Sequence, residues 1–143
     1  MRVTNRKAKF NFELDDKIEA GVVLNGAEAK SIYEGKMSLE DSFARLTKGE
    51  IWLYNCHIHP YRFAGENKPE PTRPRKLLLH RREIFNLEAK MKQKNLTLVP
   101  IACYTRGRKI KIELALGRVK KEFEKKKTRK EEEKKDISFY GDA

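Results

Sequence analysis

The chain has 143 residues, which is enough for one domain with its own core but not for two. Hydrophobic and charged residues each make up 38% of the chain, and 33 Lys and Arg against 21 Asp and Glu give a net charge of +12. No apolar run of about 18 residues could span a membrane and no signal-peptide core follows the basic N-terminus, so we expect a cytoplasmic protein with a polyanionic partner, nucleic acid being favoured over a membrane surface.

Two strand-like segments and a helix start come first along the chain. In residues 10–14, Phe and Leu alternate with polar residues, which is typical of a half-buried strand. Residues 18–24 form a second strand-like run, in which Gly21 indicates a bulge or a close approach of another backbone. Asn25 then has the form of an N-cap, with a glutamate three residues later to complete a capping box, and Gly35 ends the predicted helix.

The middle of the chain combines a hairpin, a loop and a second helix. Residues 42–46 and 51–59 are predicted strands, joined by a turn at residues 47–50. Residues 63–75 are polar and contain three prolines, which predicts an extended loop. A helix is predicted over residues 81–94, because apolar residues recur there at helical spacing and an asparagine follows as a left-handed stop.

The clearest hairpin joins residues 96–104 to residues 109–116 through a turn at Arg106-Gly107. Strict alternation in its second strand predicts one face in the core and one in water. Cys56 and Cys103 each lie in an apolar strand-like run, which favours buried reduced thiols over a disulfide.

These elements predict a mainly β domain over residues 1–117, built as a small OB-like antiparallel β-barrel with two or three short helices. An open α+β sandwich is the alternative. Residues 118–143, here called the tail, contain little that could be buried, so we expect a basic C-terminal tail that is disordered until it is bound to a partner. Ten of the 33 basic and seven of the 21 acidic residues lie in the tail, which leaves the body basic as well.

Candidate catalytic residues do not cluster in the sequence. His57 and His59 face one side of a predicted strand and Cys56 the other, and such an H-x-H pair lacks further ligands at zinc-like spacing. Glu19 and Glu28 form no obvious acid–base pair, and no phosphate-binding glycine loop or nucleophile motif occurs. We therefore expect no metal, no cofactor and no catalytic activity.

Basic residues mix with apolar ones in three places, at residues 5–9, 73–79 and 106–111. Such clusters could neutralise phosphates while apolar side chains pack against unpaired bases. For any one cluster, a solvated basic surface is an equally good interpretation. Three clusters in one small domain favour RNA.

Short motifs in a fixed order carry a resemblance to a known family over nearly the whole chain. They include Asn5-Arg6-Lys7-Ala8, Glu19-Ala20-Gly21, Gly26-Ala27-Glu28-Ala29-Lys30-Ser31-Ile32, Asp41-Ser42-Phe43-Ala44, His57-Ile58-His59-Pro60-Tyr61, Arg73-Pro74-Arg75-Lys76-Leu77-Leu78-Leu79-His80 and Lys111-Ile112-Glu113-Leu114-Ala115-Leu116. With these motifs the sequence resembles small protein B (SmpB), the tmRNA-binding (SsrA-binding) protein family of bacterial trans-translation.

The resemblance implies an OB-like barrel that binds the tRNA-like domain of tmRNA, and a tail that enters the decoding centre and the vacant mRNA channel of stalled ribosomes. Elongation factor Tu is an implied partner through alanyl-tmRNA, and we expect a monomer. The RNA-contacting positions that the resemblance implies are Asn5, Arg6, Lys7, Glu19, Lys30, Lys76 and Leu78. The ribosome-contacting positions that it implies in the tail are Lys120, Lys121, Phe123, Lys125 and Lys126.

The tail departs from the family pattern K-G-K-K-x-(H/Y)-D-K-R, because residues 118–126 read R-V-K-K-E-F-E-K-K. Charge signs are kept, and Phe123 retains an aromatic ring that could stack on a base without the hydrogen bond of His or Tyr. The alternatives are a general single-strand-binding or ribosome-associated OB protein and, from another class, an RNA-processing enzyme.

Overall fold

The computed structural model describes residues 1–66 and 68–127 as a mainly β domain. Its strands are β1 (Arg2–Thr4), β2 (Phe12–Val22), β3 (Met37–Ser38), β4 (Phe43–Thr47), β5 (Glu50–Tyr54), β6 (His57–Ile58), β7 (Arg75–Leu78), β8 (Thr97–Arg106) and β9 (Lys109–Val119). Its helices are α1 (Arg6–Asn11), α2 (Gly26–Tyr33) and α3 (Arg81–Lys94). The mainly β prediction with a few short helices is confirmed.

Seven strands form one antiparallel sheet in the order β1-β8-β9-β2-β7-β5-β4, and β3 pairs separately with β6. The sheet curls until β4 comes near β8, but no ladder of hydrogen bonds joins these two strands. The predicted barrel is therefore not closed. Helix α3 packs Leu87 into the core. Met91 of α3, Leu46 of β4 and Leu98 of β8 line an open pocket at the seam where strand pairing would otherwise close the barrel.

The N-terminal segment differs from the prediction of a strand over residues 10–14. Residues 6–11 form α1, and β2 begins only at Phe12. Helix α1 buries Ala8 against Val99, Ile101 and Ala115, which lie on the side of the sheet that faces away from the main core. For the same reason Ala115 is fully buried, although the alternation in β9 predicts that it faces water.

Strand β2 is one continuous element rather than the two strands that the sequence predicts. Its register with β9 shifts between Asp15 and Ile18, and Asp16 has a positive φ of 50°, so the polar break is a bulge inside one strand. The close approach expected at Gly21 is confirmed, because a Cβ atom there would lie 3.3 Å from the Cβ of Leu78 on β7.

The predicted helices and turns are largely confirmed by their capping geometry. Asn25 caps α2 in a complete capping box with Glu28, and α3 ends at Asn95 with a left-handed φ of 53°. The predicted strand over residues 51–59 breaks in two, because Asn55 turns the chain with a φ of 56° before β6 pairs with β3. The hairpin of β8 and β9 turns at Gly107 as expected.

Both cysteines are buried and free, which confirms the prediction of reduced thiols. Burial raises the pKa of the Cys56 thiol to about 11 and that of Cys103 to about 12. Neither thiol is therefore ionised near neutral pH.

A buried ion network ties α2 to β7 and to the loop before it. Glu28, which is 2% exposed, accepts hydrogen bonds from Arg75 Nε at 2.7 Å and from Arg73 Nε at 3.0 Å. Arg75 is 1% exposed and also donates to the carbonyl oxygens of Cys56 and Pro71. Burial alone would raise the pKa of Glu28, but hydrogen bonds from Arg73, the Asn25 backbone and Arg75 outweigh it and hold the pKa below its usual value.

The described part of the tail is ordered against the body. Arg118 and Val119 extend β9, Arg118 pairs with Glu13 and with Glu124, and residues 122–127 are helical. The expectation of a tail that is disordered until bound remains a prediction. Residues 128–143, on which the rest of that expectation falls, lie outside the described residues.

Candidate nucleic-acid interface

A row of side chains crosses the sheet on the side that faces away from the main core. Leu78 on β7 pairs with Gly21 on β2, Gly21 with Lys111 on β9, Lys111 with Tyr104 on β8, and Tyr104 with Arg2 on β1. Registered partners in an antiparallel sheet point to the same side. We call these five residues the outer row.

The outer row combines an exposed apolar side chain with cations. Leu78 is 52% exposed, since Gly21 beside it has no side chain to cover it. The Arg2 guanidinium lies 5.1 Å from the centroid of the Tyr104 ring. The row thus offers apolar, aromatic and cationic surface in line, which suits contact with both bases and phosphates.

Glu19 lies beside the outer row and organises two of its neighbours. The Tyr104 hydroxyl donates a hydrogen bond to the Glu19 carboxylate, and Arg106 pairs with the same carboxylate at 3.4 Å. Burial and the bond to Glu19 raise the pKa of Tyr104 to about 12, so the hydroxyl remains a donor at neutral pH. The carboxylate therefore fixes an arginine of the last hairpin.

Helix α1 adds cations to the same side of the sheet. Arg6 and Lys7 are exposed on it, and Lys7 pairs with Asp41 at 3.2 Å. Asn5, by contrast, is 2% exposed: it caps α1 by accepting from the Ala8 N–H, and its amide donates to the carbonyl oxygens of Leu39 and Pro100. The Asn5 side chain is therefore buried and stabilises the fold, so it offers no surface to RNA.

Lys30 and Lys76 reach the surface from different elements. Lys76 lies two residues before Leu78 on β7 and pairs with Glu50 at 3.3 Å. Lys30 is exposed on α2, with its ammonium group 5.4 Å from the centroid of the Tyr61 ring.

Among the predicted RNA-contacting residues, Glu19, Lys76 and Leu78 share the outer face of the sheet, with Arg6 and Lys7 on the helix that covers part of that face. The positions that the resemblance implies do not include Tyr104, and Lys111 was predicted only as part of the basic cluster at residues 106–111. The alternation in β9 marked Lys111 as a surface position, but only the register shows that Lys111 and Tyr104 line up with Gly21 and Leu78. The basic cluster at residues 73–76 is corrected in one respect, because Arg75 is buried on Glu28 and offers no surface to RNA.

Among the predicted tail contacts, Lys120 lies next to α1. The Lys120 backbone N–H donates to the Asn11 carbonyl and its ammonium group to the Lys9 carbonyl. Phe123 is 68% exposed, and Lys121 and Lys126 are exposed, whereas Lys125 is half-buried.

Neither a metal centre nor a membrane span is found in residues 1–66 and 68–127. No group of three or more His, Cys, Asp or Glu side chains in that part could hold a metal ion. His57 and His59 do face the same side, with ring centroids 4.7 Å apart. No helix in the described part is long and apolar enough to cross a membrane.

Comparison with known proteins places the whole architecture in one family. The model of the SmpB protein family matches residues 2–138. An SsrA-binding protein of Sulfurihydrogenibium sp. is 47% identical over 132 residues, which cover 92% of this chain and 87% of the relative. An SsrA-binding protein of Carboxydothermus hydrogenoformans is 50% identical over 122 residues, which cover 85% and 82% respectively.

A solved structure gives the same result in three dimensions. It is described as "tmRNA-SmpB: a journey to the center of the bacterial ribosome", and it matches 85% of each chain with a TM-score of 0.70 and 42% sequence identity. The resemblance drawn from the motifs is thereby confirmed. The chain belongs to the SmpB protein family.

Proposed function

We propose that this chain binds the tRNA-like domain of tmRNA and delivers it to stalled ribosomes for trans-translation, the rescue of the ribosome with tagging of the incomplete protein. Family membership and the names of the relatives support this assignment. The single observation that carries it in the structure is the outer row, where Leu78, Gly21 and Lys111 present apolar and cationic surface in register across three strands.

The outer row and α1 supply the two kinds of contact that RNA needs. Lys111, Lys76, Arg6 and Lys7 neutralise backbone phosphates, which gives affinity that falls with salt. Leu78 packs against an unpaired base, because its side chain is exposed and flanked by cations.

Glu19 and Asn5 act differently from these direct contacts. Glu19 holds Arg106 toward the RNA and can accept from a guanine edge, a role that a cation cannot fill. Asn5 acts by fixing the start of α1 and thereby the position of Arg6 and Lys7.

The tail engages the ribosome through Lys120, Lys121, Phe123, Lys125 and Lys126 in the decoding centre and the vacant mRNA channel. Elongation factor Tu joins through alanyl-tmRNA. The protein acts in the cytoplasm as a monomeric binding protein, with no catalytic step.

Competition binding tests the proposal. A labelled tRNA-like domain should be displaced by unlabelled tmRNA and far less by bulk tRNA or by unstructured RNA of equal length. Equal displacement by all three competitors would identify a general RNA-binding protein. Time-dependent cleavage of the label would identify an RNA-processing enzyme.

A further inference from the structure

A second surface on the outer side of the sheet combines aromatic rings with cations. On β4, β5 and β7, Phe43 pairs with Tyr54, while Arg45 pairs with Trp52 and Trp52 with Lys76. The residues between them along each strand are buried in the core, so these five side chains share the opposite face. We call these five residues the aromatic platform.

Contacts within the aromatic platform hold its rings in place. The rings of Phe43 and Tyr54 stack with centroids 5.3 Å apart and planes 15° from parallel. The Arg45 guanidinium lies 5.1 Å from the centroid of the Phe43 ring. The Trp52 indole N–H donates to one oxygen of Glu50 at 3.1 Å, and Lys76 donates to the other at 3.3 Å.

We propose that the aromatic platform binds an unpaired segment of the same RNA whose tRNA-like domain binds the outer row. The inference rests on the proposed function. Lys76 joins the two surfaces, because it belongs to the platform and lies two residues before Leu78 on β7. One RNA molecule can therefore run from the outer row onto the platform.

The chemistry of the aromatic platform favours single-stranded RNA over a duplex. Aromatic rings on a sheet stack on bases, and a base offers its face only when it is unpaired. Arg45 and Lys76 supply two cations for the phosphates against the single carboxylate of Glu50. An incoming phosphate can replace Glu50 as the partner of Lys76, which predicts salt-dependent binding.

Trp52 provides a direct measurement, since it is the only tryptophan in the chain. The full chain is titrated with a single-stranded RNA of about ten nucleotides without self-complementarity, and tryptophan fluorescence is followed. We expect quenching in the wild type. The double substitution Phe43→Leu/Arg45→Gln keeps Trp52 and should weaken the binding about tenfold or more, since stacking contributes strongly to single-strand affinity.

A matched control comes from a similar pair in another part of the chain. Arg62 lies 4.9 Å from the centroid of the Phe63 ring, so Arg62→Gln/Phe63→Leu removes the same groups. The control should leave the titration unchanged. The proposal would be overturned if RNA did not quench Trp52 in the wild type. It would also be overturned if the platform variant bound RNA as tightly as the wild type, or if the control variant lost as much affinity as the platform variant.

A second arm separates this inference from the proposed function. The platform variant should lose affinity for full-length tmRNA but keep the wild-type affinity for the isolated tRNA-like domain. Equal losses for both RNAs would show that the platform is no separate surface. If the wild type failed to bind the tRNA-like domain and the oligonucleotide still quenched Trp52, the proposed function would fall while the platform would be supported as a single-strand site.

Discussion

Leu78 shows how a glycine on one strand can leave an apolar side chain exposed on the next. At Gly21 a methyl group would lie 3.3 Å from the Cβ of Leu78, so any larger residue at position 21 would displace the Leu78 side chain or cover it. The alternation of β7 turns Leu77 into the core and Leu78 outward, next to Lys111 across Gly21. Exposure of a large apolar side chain is thus a local consequence of two strands in register.

Leu78→Ala should separate binding from folding. Because Leu78 is 52% exposed, its truncation should change the free energy of unfolding by less than about 0.5 kcal/mol. The same change should weaken binding of the tRNA-like domain about tenfold, through loss of the contact with a base. Urea unfolding and filter binding on the same preparation measure both quantities. Unchanged affinity would remove Leu78 from the interface.

Asn5→Ala should behave in the opposite way. The substitution removes the cap of α1 and the amide that donates to the carbonyl oxygens of Leu39 and Pro100, at a cost of about 2 kcal/mol in stability. RNA affinity should fall only to the extent that loss of the cap displaces Arg6 and Lys7 on α1. Arg6→Gln is the comparison: it should leave the thermal unfolding midpoint in place and reduce the salt dependence of binding by about one phosphate contact.

At the scale of elements, capping signals and strand alternation predicted α2, α3 and the last hairpin from the sequence. They gave the wrong element for α1, because Phe10, Phe12 and Leu14 alternate as in a strand. In addition, the Asn5 amide donates to carbonyl oxygens of residues far along the chain, which no local signal reveals. The open seam beside β4 was equally beyond the sequence, since Met91 of α3 and residues of β4 and β8 line an open pocket where strand pairing was expected. Local signals predict elements, whereas closure and register depend on long-range packing.

Glu28 joins α2, β7 and the preceding loop, so its replacement should destabilise all three elements. Glu28→Gln leaves Arg75 buried without its counter-charge, which should cost about 3 kcal/mol or more in the free energy of unfolding. Urea unfolding at neutral pH measures the loss. A change that stays within the error of the measurement would show that the network contributes nothing net.

The same carboxylate predicts a pH dependence with a definite sign. Its pKa is lower in the folded chain than the usual 4.5, so the folded state gains stability above pH 4.5 and loses it as pH falls through 4.5 toward the folded-state value. Glu28→Gln should lack this component and show a flatter fall in stability over that acidic range. If stability fell equally with pH in the wild type and in Glu28→Gln, the pH dependence would not come from Glu28.

At the scale of the whole molecule, the proposed function divides RNA recognition and ribosome engagement between the body and the tail. The outer row and α1 are built on the sheet, whereas the described tail contacts follow its last strand. Because β9 continues to Val119, a truncation that spares the sheet begins at Lys120. Family membership and the split between body and tail could be predicted from the sequence, but the alignment of the outer row could not, because it depends on which strands pair.

Removal of residues 120–143 should leave the affinity for the tRNA-like domain within a few-fold of the wild type and abolish tagging in a reconstituted trans-translation assay. The body keeps the outer row, and the tail is needed only on the ribosome. A large loss of RNA affinity, with the fold intact by circular dichroism, would show that the tail takes part in recognition.

The central claim is that the folded body selects one RNA among many. A pull-down from a bacterial lysate at moderate ionic strength, followed by sequencing of the retained RNA, measures that selection directly. We expect tmRNA to be enriched over tRNA and ribosomal RNA with the wild type, and the enrichment to be lost with Glu19→Ala/Leu78→Ala. Retention of RNA in proportion to its abundance in the lysate would contradict the account.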